Sequence, residues 1–105
     1  MIDLIDRLRI MASKEGMISS DSVNSEINFI SKTLEIMRDT KEISNDAYLE
    51  SGSIQGGLTV ISSLLEHGIS DTEIKALIDT LFERSKILDL KYPELNIKIE
   101  SHRGI

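Results

Sequence analysis

The chain contains no cysteine, and only one of its 105 residues is proline. Without thiols it can form no disulfide, no thiolate nucleophile and no cysteine-based zinc site. Basic residues do not cluster and the formal net charge is −6, so we expect no direct binding to nucleic acid or anionic lipid. No stretch is apolar for long enough to cross a bilayer, and the first residues do not resemble a signal peptide. The expectation is a cytoplasmic protein with no membrane contact.

Aromatic residues are also scarce, with two phenylalanines, two tyrosines and no tryptophan. Apolar residues make up 40% of the chain and are mostly isoleucine and leucine, while charged residues make up 29%. This composition is typical of a folded globular protein, and a length of 105 residues suits one domain. It favours interdigitating helices over a β-sandwich, whose strands are richer in aromatic and β-branched residues.

Apolar residues recur every three or four positions in four long segments, as expected of amphipathic helices. The segments cover residues 2–15, 23–37, 47–67 and 71–91. Gly16 and Gly68 are predicted to end the first and third helices in a left-handed conformation, and Ser70 with Glu73 forms a capping-box pattern before the fourth. The sequence therefore predicts an all-α, single-domain bundle of four to five helices, with residues 1–93 forming the bundle.

The last twelve residues have an ambiguous pattern. Ile97 and Ile99 alternate as in a strand, whereas Leu95 and Ile99 would share one face of a helix. No other segment offers a convincing strand to pair with. We therefore expect residues 94–105 to form a C-terminal tail or a short docked helix.

Three glycines, Gly52, Gly56 and Gly57, lie within or before the third apolar stripe. A phosphate-binding loop would need a preceding strand and a following Gly-Lys-Ser/Thr motif, and the sequence has neither. A second interpretation places the start of the helix only at about Gly57. The favoured interpretation is a helix that runs through all three glycines, which would then form a smooth patch for close helix packing. Each interior glycine costs about 1 kcal/mol relative to alanine, so tight packing would have to offset that cost.

Residues suited to chemistry are few and scattered. His67 precedes the Gly68 stop, where a favourable interaction with the helix dipole explains it, although a regulatory role is the alternative. The carboxylate pairs lie in first turns of predicted helices, where capping and the dipole account for them, and two distant histidines make a poor metal site. The sequence therefore predicts no catalytic residues, no metal, no cofactor and no enzyme.

Helices two and three carry more apolar residues than their core stripes require. The additional residues are Phe29, Ile36, Val60 and Leu64. Exposed apolar strips of this kind commonly mark interfaces. We therefore expect the protein to bind a protein partner, including a second copy of itself as a homodimer.

Residues 4–93 resemble a phosphotransferase-system regulation domain, a helical bundle of sugar-responsive transcriptional regulators. The resembling stretches are "LIDRLRIMASKEGMIS", "VNSEINFISKTLEIM", "YLESGSIQGGLTVISSLLEHG" and "LKYPEL". The family carries a regulatory histidine early in the helix that here contains Gly56 and Gly57, and His67 lies about three turns further along. The resemblance implies a dimerising, protein-binding regulatory module, linked to carbohydrate uptake and without a nucleic-acid-binding domain of its own.

Two other functions remain open on the sequence. The acidic composition would suit a small antagonist, such as a toxin-immunity or phage counter-defence protein, that blocks a basic active site by charge complementarity. A small ligand could also bind inside the bundle, since helical bundles host such pockets.

Overall fold

A computed structural model describes residues 1–14 and 17–104 of the chain. Over these residues the fold contains helices and no strand, which confirms the predicted all-α bundle. The helices are α1 (Ile2–Ala12), α2 (Ser20–Asp39), α3 (Asn45–Glu66), α4 (Asp71–Lys91) and α5 (Leu95–Ser101).

Serine side chains begin the three long helices. The hydroxyl oxygens of Ser19, Ser44 and Ser70 accept hydrogen bonds from backbone amides of the first turns of α2, α3 and α4. Ser70 thus caps α4 as predicted, while a complete reciprocal capping box is found at Ser19 and Ser22. Gly68 has φ +80°, as expected of a left-handed helix stop. The predicted stop at Gly16 lies outside the described residues, and α1 ends earlier than expected, at Ala12.

Helices α2 and α3 form an antiparallel hairpin. At one end Ser62 donates a hydrogen bond to Asn24 over 2.6 Å, and at the other the Arg38 guanidinium lies 4.5 Å from the centre of the Tyr48 ring. Helix α4 packs antiparallel to both α3 and α1, since its last turn contacts the N-terminal parts of both helices and its middle contacts Gly57 and Arg9. In the α1–α4 pair the Arg9 guanidinium lies 4.0 Å from the centre of the Phe82 ring.

The first turn of α1 is held by side chains from distant parts of the chain. The Ile2 amide donates to Asp89 over 2.9 Å, and the Asp3 amide donates to the side-chain oxygen of Asn96 over 3.0 Å. The Met1 ammonium group lies 3.0 Å from the same Asn96 oxygen and 3.3 Å from Asp89. Burial lowers the pKa of this amine, and the nearby Asp89 carboxylate partly opposes the shift. Hydrogen bonds therefore fix the start of α1 to α4 and α5.

One apolar core joins all five described helices. Residues 95–101 form a docked helix rather than a strand, because Leu95 and Ile99 lie on one face and enter this core. The largest fully buried side chains are Met1, Leu4, Ile5, Leu8, Ile30, Leu34, Met37, Ile54, Leu58, Ile61, Ile74 and Ile78.

Candidate interaction surface

The helix α3 runs without interruption through its three glycines, but they have different surroundings. At Gly57 an added Cβ would lie 2.5 Å from Leu81 Cδ2, so this glycine permits close contact with α4. At Gly52 and Gly56 an added Cβ would meet nothing within 4 Å. The expectation of close helix packing is therefore wrong at Gly52 and Gly56, because both face away from the bundle. The other small residues of this stripe, Ala47 and Ser51, are buried.

The outward side of α3 is smooth and uncharged. Residues 51–65 include no charged side chain. The residues that share the exposed side are spaced 3, 4, 4 and 3, and we call them the outer α3 face: Leu49, Gly52, Gly56, Val60 and Ser63. Leu49 and Val60 are 69% and 54% exposed.

A cleft of about 410 Å³ separates α3 from α4 beside this face. Its lining comprises Glu50, Ser53, Ile54, Arg84, Ile87, Leu88 and Lys91. Ile87 is 68% exposed, and an ion pair between Lys91 and Glu50 lies at one end. Hydrogen bonds from Lys91 and Tyr92 lower the pKa of Glu50, so its charge persists into mild acid. The cleft is apolar in its middle and charged at its rim.

The four predicted interface residues do not form one exposed strip. Phe29 and Leu64 are half-buried and pack against the core, so neither presents a fully exposed apolar side chain. Ile36 and Val60 are exposed. They lie on different helices, and of the four only Val60 belongs to the outer α3 face. Leu49 and Ile87 were missed, since periodicity alone did not show which side of each helix remains uncovered.

His67 is the C-terminal cap of α3 and is exposed. Its Nδ1 lies 2.7 Å from the carbonyl oxygen of Ser63. A carbonyl oxygen only accepts, so Nδ1 carries the proton in this contact. This geometry matches a cap that satisfies a free carbonyl at the helix end.

Neither a metal-binding cluster nor a membrane-crossing helix is found in the described part of the chain. No three histidine or acidic side chains within residues 1–14 and 17–104 come together as metal ligands. None of the helices over the same residues combines the length and the apolar character that a lipid bilayer requires.

A charged cluster joins α5 to α1 and α2, and no pattern in the sequence predicts it. Arg7 donates to Glu100, Arg103 Nε lies 3.4 Å from the same carboxylate, and both terminal nitrogens of Arg103 donate to Glu26. Burial alone would raise the pKa of Glu100, but the Arg7 hydrogen bond and the Arg103 charge outweigh it and hold the pKa below its ordinary value of 4.5. These long-range pairs connect residues up to 93 positions apart, so no local pattern could reveal them.

This lowered pKa predicts a dependence of stability on acid. In the range below about pH 4.5 the unfolded chain binds the Glu100 proton more readily than the folded chain does, so stability falls as pH falls. The variant Glu100→Gln should therefore unfold more easily than the parent at pH 7, and the difference should shrink toward pH 3. Urea denaturation followed by circular dichroism measures it. Glu83→Gln, whose side chain is 66% exposed, is the control and should match the parent throughout; a Glu100→Gln deficit that does not change with pH would contradict the prediction.

Comparisons with known proteins provide no relative: no family model, no curated protein and no solved structure matches the chain. The resemblance to a phosphotransferase-system regulation domain therefore stays a prediction.

Proposed function

We propose that this protein is a small regulatory module that acts by binding proteins, and that its first partner is a second copy of itself. The observation that carries the proposal is the outer α3 face, where a Cβ added at Gly52 or Gly56 would meet no atom of the described residues within 4 Å. Each of them lowers helix stability by about 1 kcal/mol relative to alanine, and nothing in the described bundle offsets that cost. A partner helix lying on the glycines would offset it through close contact.

The spacing of the outer α3 face supports a second copy as the partner. Its intervals of 3, 4, 4 and 3 read the same in both directions around Gly56. A two-fold axis through Gly56 with antiparallel α3 helices would set Val60 of one copy opposite Gly52 of the other. The same axis would set Leu49 opposite Ser63. Large side chains would then meet small ones, which is the self-complementarity that a symmetric dimer needs.

The dimer should be weak. The face spans about 20 Å of one helix. Stable interfaces bury about 800 Å² on each partner, and one helix together with the rim of a cleft barely supplies that area. We therefore expect association at tens of micromolar rather than nanomolar concentration. Because the outer α3 face carries no charge, added salt should weaken the dimer little.

Sedimentation velocity at tens of micromolar, in low and high salt, tests this proposal. The parent should be a mixture of monomer and dimer in both, and Val60→Lys should be monomeric because it would bury an unpaired charge at the two-fold contact. Ile10→Lys is the matched control, since Ile10 is 52% exposed on α1, outside the face, and this variant should dimerise like the parent. A parent that stays monomeric in both salts would overturn the dimer. Salt-sensitive binding to a basic partner would then favour the acidic antagonist instead.

A further inference from the structure

The last helix differs from the others in how it is held. Helix α5 has seven residues, follows Pro93, and buries only Leu95 and Ile99, while Ile97 is 72% exposed. A helix of this length is not stable in water by itself, so α5 persists only while docked.

Most of the remaining attachments of α5 are polar. Asn96 holds the first turn of α1, and Lys98 donates to the carbonyl oxygen of Glu42 over 2.7 Å. Glu100 pairs with Arg7, and Arg103, just beyond the helix, pairs with Glu26. Such contacts exchange readily with water at a partly exposed surface, unlike the close-packed apolar contacts of the α2–α3 hairpin.

The charged cluster is also incompletely satisfied. Among the described residues, Arg7 Nη1, Glu100 Oε2 and Arg103 Nε are buried and have no hydrogen-bond partner. Arg7 and Arg103 both approach the same oxygen of Glu100, and opening α5 would return all three unpaired atoms to water. This release partly offsets the loss of the two buried apolar side chains.

The segment covers an apolar surface. The Arg103 guanidinium lies 4.1 Å from the centre of the Phe29 ring, which packs against the core from α2. We propose that α5 and Arg103 form a detachable strap, which opens while α1–α4 stay folded and uncovers an apolar surface around Phe29. This inference is independent of the proposed dimer. The dimer uses only residues of α3, and none of them takes part in the contacts of the strap.

Hydrogen exchange of the full chain, followed by mass spectrometry, tests the strap. In the parent, amides of residues 95–103 should exchange at least tenfold faster than those at the centres of α2 and α3, because they open without global unfolding. Glu100→Gln should accelerate α5 by roughly a further tenfold and leave the α2–α3 centres unchanged, since it removes a charge-assisted pair. Glu83→Gln is the control and should exchange like the parent in every segment.

Two outcomes would overturn the strap. One is equal protection of α5 and the α2–α3 centres in the parent, and the other is uniform acceleration of all segments by Glu100→Gln. If Glu100→Gln does not fold, the parent in about 1 M salt replaces it, because salt at that level screens charges beyond about 3 Å. Selective acceleration of α5 by salt supports the strap, and its absence rejects it.

Discussion

Replacement of Leu58 by alanine is expected to lower the free energy of unfolding by about 3 kcal/mol. Leu58 lies in the middle of α3, is 1% exposed and belongs to the core that joins the helices. The substitution removes buried methyl and methylene groups and leaves a cavity, since the long helices on either side cannot fully close around it. For a domain of this size that loss is a large share of the total stability.

Leu49→Ala provides the matched control for this prediction. Leu49 is the same residue type on the same helix, but it is 69% exposed, so we expect a change of less than about 0.5 kcal/mol. Urea denaturation at low micromolar concentration, where the proposed dimer would be dissociated, compares both variants with the parent. Similar losses for Leu58→Ala and Leu49→Ala would show that α3 is oriented differently from the fold described above.

The second large effect is expected at Gly57. A leucine there would place its Cβ 2.5 Å from Leu81 Cδ2, and Leu81 is itself only 3% exposed. Either α3 and α4 must separate or Leu81 must leave its position, and overpacking of this kind costs about 1–3 kcal/mol. The better helix propensity of leucine offsets part of this cost, so we expect Gly57→Leu to lower the midpoint of thermal unfolding by roughly 5 °C.

The adjacent glycine should respond in the opposite direction. In Gly56→Leu the new Cβ has no atom of another residue within 4 Å. The change also replaces a poor helix former with a good one, so the free energy of unfolding should rise by up to about 1 kcal/mol. Thermal unfolding followed by circular dichroism at low micromolar concentration measures both variants. In sedimentation at higher concentration Gly56→Leu should weaken the dimer, because Gly56 lies on the proposed two-fold axis. An equal loss of stability in both variants would exclude the assigned orientation of α3.

Local sequence patterns were sufficient to predict the helices. Apolar spacing located α1 to α4, and Gly68 and Ser70 located the end of α3 and the start of α4, because these signals act within one or two turns. The end of α2 was less apparent, since Lys41 adopts φ 63° there without being glycine. Residues 95–101 stayed ambiguous until Leu95 and Ile99 had a core to enter.

The surface could be predicted only in part, because exposure depends on which helices become neighbours. Val60 was identified from its apolar character, but Phe29 was expected to be open and is covered by Arg103 from the far end of the chain. Gly52 and Gly57 look alike in the sequence, yet only Gly57 faces Leu81. Distinguishing them requires the rotation of α3 about its axis relative to α4.

The hydrogen bonds that fix the first turn of α1 to α4 and α5 affect the order in which the chain folds during synthesis. Helices α2 and α3 are joined by a short connection and can pair as soon as both have left the ribosome. The first turn of α1 must wait for Asp89 and Asn96, so the first of the described helices is among the last to gain its neighbours. The apolar side of α1, with Leu4, Ile5 and Leu8, therefore stays uncovered until α4 has formed.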